Sequence, residues 1–229
     1  LTQEERDVVN LLIEASGYMD EIYLRQRGAD LPQMREAISR NRGADRDLLL
    51  AMFDRNFGPW DEVAELHPFW GAEPMPEGAG FYPVDLTREE FDAYLAANPD
   101  QREALTSPYT VVRRNADGFV AVPYSQAYRE WLVPAARLLE QAAQRTSNPS
   151  LKRFLSLRAA SFLTDDYFES EMAWMDLEGT PIEIAIGPYE VYTDRLYGTK
   201  TAFESFVTLR NPAESAALAK YKNYLRTME

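Results

Sequence analysis

The segment Ile182-Glu-Ile-Ala-Ile-Gly-Pro-Tyr-Glu-Val-Tyr192 places a carboxylate and a phenol two residues apart at the end of an apolar run. Side chains alternate faces along a strand, so Glu190 and Tyr192 share one face and Tyr189 and Val191 the other. In a regular strand Glu190 also shares the face of Ile182, Ile184 and Ile186. Gly187-Pro188 predicts a bulge or bend there, and a bulge reverses the facing, re-aiming Glu190 and Tyr192 toward an open cleft. A carboxylate beside a phenol can grip an ammonium group and a carbonyl. The plainer reading of the same pattern is a strand end with a solvated glutamate and a packed tyrosine.

Other chemistry-bearing residues are sparse. His67 is the only histidine. A zinc site draws on several His or Cys ligands, so a structural or surface histidine is the simpler reading. No H-E-x-x-H and no G-x-S-x-G occurs. The run Asp165-Asp-Tyr-Phe-Glu-Ser-Glu-Met-Ala-Trp-Met-Asp176 reads as acidic helix, with Asp165, Glu169 and Asp176 roughly on one face. Paired carboxylates can hydrolyse glycosides, but a solvated face explains these more simply. Gly78-Ala-Gly80 does not open a helix and is no phosphate loop. Arg113-Arg114 is too small a basic patch for nucleic acid.

These residues need a scaffold, and the composition supplies one. The 229 residues are 45% hydrophobic and 12% aromatic, enough for a substantial core. With 24 Lys and Arg against 37 Asp and Glu, the net charge of -13 argues against nucleic acid and anionic membrane as partners. The absence of cysteine excludes disulfides and thiolate chemistry. No apolar run approaches the ~20 residues needed to span a bilayer. The chain begins at Leu1 rather than Met, so its start is expected to be trimmed, which leaves cytoplasm and periplasm both open.

Periodicity predicts helices over Thr2–Arg27, Gln33–Ser39, Asp45–Phe53, Thr87–Ala97, Ser125–Gln144, a segment opened by Asn148-Pro149, an acidic one from Thr164 to Met175, and Asn211–Arg226. Thr2 with Glu5 reads as a capping box. The stretch 56–83 is an aromatic loop rich in Gly and Pro that forbids long elements. A hairpin covers 109–122, turning at Asn115-Ala-Asp-Gly118. The fold class is therefore α+β and predominantly helical, with helices packed around a small antiparallel β-sheet or partial barrel.

Several stretches in order resemble the dipeptidyl peptidase III family of zinc metallopeptidases, bacterial members especially. They are Tyr18-Met-Asp-Glu-Ile-Tyr-Leu-Arg-Gln26, Asn56-Phe-Gly-Pro-Trp60, Gly80-Phe-Tyr-Pro83, Ser107-Pro-Tyr-Thr-Val-Val-Arg-Arg114, Val122-Pro-Tyr-Ser125, Ile186-Gly-Pro-Tyr-Glu-Val-Tyr192, Tyr197-Gly198 and Ala202-Phe-Glu-Ser-Phe206. The resemblance implies a two-lobed exopeptidase that removes N-terminal dipeptides, with zinc held by an H-E-x-x-G-H helix and a downstream Glu. It assigns Glu190 to the free substrate ammonium and Tyr192 to the peptide near the cleaved bond. No H-E-x-x-G-H stands in this sequence. The resemblance thus implies that residues 1–229 are a single non-zinc lobe that supplies the substrate strand 181–193. No catalytic or metal-ligating residue is expected in it, and no hydrolysis from it alone. Zinc belongs to the complete family member. The implied partners are short peptides with a free N-terminus and the zinc lobe. The alternatives are a standalone helical peptide- or protein-binding domain presenting Trp60 to Tyr82, or a carboxylate hydrolase using the acidic helix.

Overall fold

A computed structural model of the chain describes residues 1–219, 221 and 224. Thr2 starts the first helix, α1 (Gln3–Arg27), through the expected reciprocal cap. The Glu5 N–H donates to the Thr2 hydroxyl at 3.2 Å, and the Thr2 N–H donates to the Glu5 carboxylate at 2.6 Å. Val8, Leu12, Ala15, Met19 and Ile22 recur at three and four and form its buried stripe. Burying one such Leu or Ile side chain contributes about 1.5–3 kcal/mol. Gly28 ends the helix in extended backbone. α2 (Leu31–Ser39) begins two residues before the predicted start, with Pro32 in its first turn, and α3 (Arg46–Asn56) runs past Phe53 to Asn56.

The aromatic loop is ordered by inward packing. Its only regular pieces are β1 (Trp60–Asp61) and β2 (His67–Pro68), paired antiparallel. Trp60, Phe81 and Tyr82 are buried, and the Trp60 indole N–H donates to the Glu73 carbonyl at 3.0 Å. Gly80 passes so close to α1 that a Cβ there would collide with the Arg25 carbonyl oxygen. Its N–H donates to the Gln26 carbonyl at 2.8 Å.

Thr87 caps α4 (Arg88–Ala97), and α5 (Arg102–Thr106) leads to the hairpin of β3 (Thr110–Asn115) and β4 (Gly118–Pro123), closed at Asn115 and Gly118. The helix predicted from Ser125 is two pieces, α6 (Tyr124–Ala127) and α7 (Arg129–Arg145), divided at Tyr128. Asn148 caps α8 (Pro149–Thr164) by accepting from the Leu151 N–H at 2.8 Å. Then come α9 (Phe168–Met175), the pair β5 (Ile182–Glu190) and β6 (Ala202–Leu209), and α10 (Pro212–Ala219). The last helix was expected to reach Arg226, but most of its extension lies outside the described residues.

α1 packs against α7 and β6, α7 against α8, and α8 against α9. Among the described residues the strands form three separate two-stranded antiparallel sheets, none closed into a barrel. The small-sheet form of the predicted α+β class is the one observed. Helices therefore back the β5–β6 hairpin, and its outer end carries the candidate site.

Candidate functional site

β5 and β6 pair with Ile186 opposite Ser205, Gly187 opposite Glu204 and Pro188 opposite Phe203. The ladder then skips Tyr189 and resumes with Glu190 opposite Ala202. The bulge expected at Gly187-Pro188 thus exists and sits one residue later. Residues directly opposed share a face of the sheet. Before the bulge, Ile182, Ile184 and Ile186 share the buried face with Phe203. After it, Glu190 shares the opposite face with Glu204.

Glu190 and Tyr192 come together there. Both line a cavity of about 280 Å³ with Glu204, with Asp20 and Tyr23 of α1, and with Phe57 at the end of α3. Asp20, Glu190 and Glu204 thus surround one space. None of the three is ion-paired with a described residue. Burial, then the neighbouring Glu190 charge, pushes the Glu204 carboxyl above its ordinary range. Burial, then Glu21, does the same to Asp20. Tyr192 is 73% exposed, and its phenol is held up first by a hydrogen bond to Glu190, then by desolvation and the charges of Glu190 and Glu204. Such an arrangement lacks a cation. A second cavity of about 230 Å³ shares the Tyr23, Phe57, Tyr192 and Thr193 walls but is lined by Arg27, Arg55 and Arg195. Arg27 there pairs with Glu62, which leaves Arg55 and Arg195 as the cations at that end and the carboxylates at the other, so a positive group is drawn to the Glu190 end.

Phe57 stands at the junction of both cavities and is a bulky residue in left-handed backbone, φ 48°. That conformation costs about 1–2 kcal/mol for an L-residue. Tyr23 packs edge-on against it with ring centroids 5.1 Å apart.

The loop after β5 is organised by Asp194, which is buried. One carboxylate oxygen accepts from the N–H groups of Leu196 and Tyr197 at 3.1 and 3.0 Å. The other accepts from the N–H groups of Thr199 and Lys200, both at 3.0 Å, and from the Tyr82 hydroxyl at 3.2 Å. The Arg195 N–H donates to the Glu77 carbonyl at 2.9 Å. The aromatic loop therefore braces the turn that carries Tyr192 and Thr193. Lys200 is buried at the turn's end and donates to the Leu105 and Ser107 carbonyls and the Thr110 hydroxyl at 2.7–2.8 Å. Burial pulls its ammonium down to about 7, against the attraction of Asp194.

Peptidase family M49 matches residues 85–226. The chain belongs to this family, the dipeptidyl peptidase III family. The M49 chain superposes on the structure of DPP III from Caldithrix abyssi with a TM-score of 0.97 at 47% identity, covering 100% of this chain and 44% of that one. On dipeptidyl-peptidase III from Corallococcus sp. strain EGB the TM-score is 0.93 at 38% identity, covering 100% and 43%. Nudix hydrolase 3 of Arabidopsis thaliana is 28% identical over 281 residues, covering 100% of this chain and 36% of that protein. The M49 chain thus spans less than half the length of each of these relatives.

Two expectations about other residues change, and the one for His67 holds. The acidic run is not one helix. Asp165 ends α8 in left-handed backbone, φ 60°, and its carboxylate accepts from the Ser125 N–H and hydroxyl at 2.9 and 2.6 Å. Asp176 pairs with Arg153 at 3.1 Å. Asp165, Glu169 and Asp176 therefore share no helical face, because the αL residue breaks the helix between them. Of the rings the aromatic loop was to present, Trp60, Phe81 and Tyr82 are buried and offer no binding surface, while Phe69 and Trp70 are half-buried against the core. His67 is exposed in β2.

Sequence reasoning missed Asp20, Phe57, Asp194 and Glu204. Asp194 and Glu204 had signals. Asp194-Arg-Leu-Tyr-Gly198 has the form of an aspartate-capped turn. In Ala202-Phe-Glu-Ser-Phe206, Glu204 sits on the face opposite Phe203 in an extended run. Asp20 and Phe57 had none, since only the packing of α1 and α3 brings them to the hairpin.

Proposed function

We propose that residues 1–229 form the substrate-side, non-zinc lobe of a dipeptidyl peptidase III-like exopeptidase. Glu190 pairs with the α-ammonium of a peptide, and Tyr192 hydrogen-bonds the peptide backbone. Glu204 and Asp20 deepen the negative potential around the same ammonium. The supporting observation is the set of three carboxylates around one cavity with no cation among the described residues to neutralise them. An anchored ammonium fixes the distance from chain end to scissile bond, which is what the removal of dipeptides requires.

Zinc is expected in a complete member of the family. The residues of this chain do not fit it: among the described residues no group of three or more His, Cys, Asp or Glu is placed to hold a metal ion. The proposed partners are short peptides with a free N-terminus and a zinc-bearing lobe, and the chain alone is proposed to hold peptides without cleaving them. Among the described residues no helix is long and apolar enough to cross a membrane.

The experiment is a calorimetric titration of the 229-residue chain with a short peptide and its N-acetylated counterpart. Tighter binding of the free amine, with the difference shrinking as salt is added, supports the proposal. Equal affinity for the two peptides sinks it.

A further inference from the structure

Arg158 is a charged residue on the apolar face of α8, completely buried beneath the bulged end of β5. One guanidinium nitrogen donates to the Ile186 carbonyl at 3.0 Å, and another pairs with Glu171 of α9 at 2.6 Å. Its guanidinium lies 5.6 Å from the centroid of the Tyr189 ring, whose hydroxyl donates to the same Ile186 carbonyl at 3.3 Å. Gly187 has φ 151°, which an L side chain rarely adopts, and a Cβ there would collide with the Arg158 nitrogen that bonds Ile186. A fully buried guanidinium is costly in a core unless its position is used, and a hydrophobic residue of similar volume is often as stable. Beside its Glu171 pair and the rings of Phe154 and Tyr167, Arg158 meets the residues where the ladder loses register: the carbonyl before the bulge, the glycine within it and the extra tyrosine.

We propose that Arg158 is the positioning residue of the Glu190 site, seating the bulge at Tyr189 that transfers Glu190 from the isoleucine face to the Glu204 face. The inference rests on the reading of Glu190 as the amine anchor. Without the seat, Gly187 can relax toward regular β backbone and the ladder can pair through Tyr189. A one-residue slip then returns Glu190 to the face of Ile186. The guanidinium reaches the Ile186 carbonyl and Glu171 through two different nitrogens held in a planar fork, a fixed spacing that a lysine's single ammonium nitrogen does not reproduce.

The test uses R158M and R158K in the 229-residue chain, each checked for folding by circular dichroism. The first readout is the titration of the Tyr192 phenol by NMR with ring-labelled tyrosine, assigned by the loss of its signal in Y192F. The second is the affinity ratio between a free-amine alanine tetrapeptide and its N-acetylated form. The Asp194 turn holds Tyr192 while Glu190 changes face, so in R158M the Tyr192 phenol falls toward the ordinary tyrosine range and the free-amine preference drops about tenfold. R158K moves both readouts in the same direction by less. A merely structural arginine lowers the unfolding midpoint and leaves both unchanged, so a folded R158M or R158K with the wild-type phenol titration overturns the proposal. Should the wild type show no free-amine preference, the Glu190 reading fails, and the phenol titration still decides the role of Arg158.

Discussion

Glu190→Gln removes one charge from the cavity and keeps the side chain's shape. An ammonium about 4 Å from a carboxylate gains about 4 kcal/mol at an effective dielectric of about 20, and about 1 kcal/mol in bulk water. Glu190 is half-buried, which sets it between these limits, and Glu204 and Asp20 still line the cavity in the variant. The charge of Glu190 should therefore be coupled to the peptide amine by about 1–2 kcal/mol, or about five- to thirtyfold in affinity. A double-mutant cycle measures that coupling alone: wild type and Glu190→Gln, each titrated with a free-amine peptide and its N-acetylated form. The glutamine variant should weaken the free-amine peptide and leave the acetylated one within about twofold, a difference worth little more than 0.4 kcal/mol. Raising salt should shrink the coupling, because a half-buried pair is partly screened. A cycle in which both peptides lose affinity equally refutes the reasoning, since the loss then comes from a changed cavity rather than a missing charge.

Glu204→Gln should weaken free-amine binding yet raise the unfolding midpoint at neutral pH. The folded Glu204 carboxyl is raised, so its ionisation makes stability fall as pH climbs from the ordinary glutamate range through the raised value; a lower midpoint in the variant contradicts this. Asp194→Asn should destabilise by about 3–5 kcal/mol in urea unfolding, because a buried carboxylate that accepts four backbone N–H groups is replaced by an amide with one acceptor oxygen. A loss under about 1 kcal/mol would show that solvent or other acceptors replace it. Lys200 is depressed to about 7, so the unfolded chain binds its proton more tightly, and stability should rise with pH from about 7 to 9. The slope should flatten in Lys200→Met, and an equal slope in both proteins excludes Lys200 as its source.

Where a local rule decides the structure, the residues announced it. The Thr2 cap, the Asn148 cap, the 109–122 hairpin and the bulge near Gly187-Pro188 each follow from a few adjacent residues, and each is present. The bulge also carried the one correct statement about the facing of Glu190, because register is a counting argument. What stayed hidden depends on packing between distant segments. Asp20 lies on the exposed side of α1 in any helical wheel, and only α1 lying along β6 turns it toward Glu190. Phe57 falls in the predicted loop 56–83, past the predicted helix end at Phe53, and is the left-handed cap of α3 between two cavities. Arg158 stands at i+4 from Phe154 and i+3 from Leu155 on an apolar stripe, and the partner that accounts for it is a carbonyl in β5, out of reach of any local pattern. The acidic run failed for the opposite cause: helical spacing was counted through Asp165, whose backbone is not helical.

Several features that cost stability lie at or next to the Glu190 cavity. Phe57 is held in left-handed backbone, Gly187 at a φ that favours glycine, and Arg158 is a charge buried under a strand. Three carboxylates surround the cavity at like charge, two of them raised in the folded state. A site built for a neutral group would gain nothing from gathered carboxylates, and one built for an anion would be harmed by them. An ammonium is the group whose arrival lowers the energy of all three carboxylates together, and the rigid turn around Asp194 keeps them from relaxing apart beforehand. On the proposed reading that ammonium is the free N-terminus of a peptide, and relief of the repulsion among Asp20, Glu190 and Glu204 is what favours its binding there.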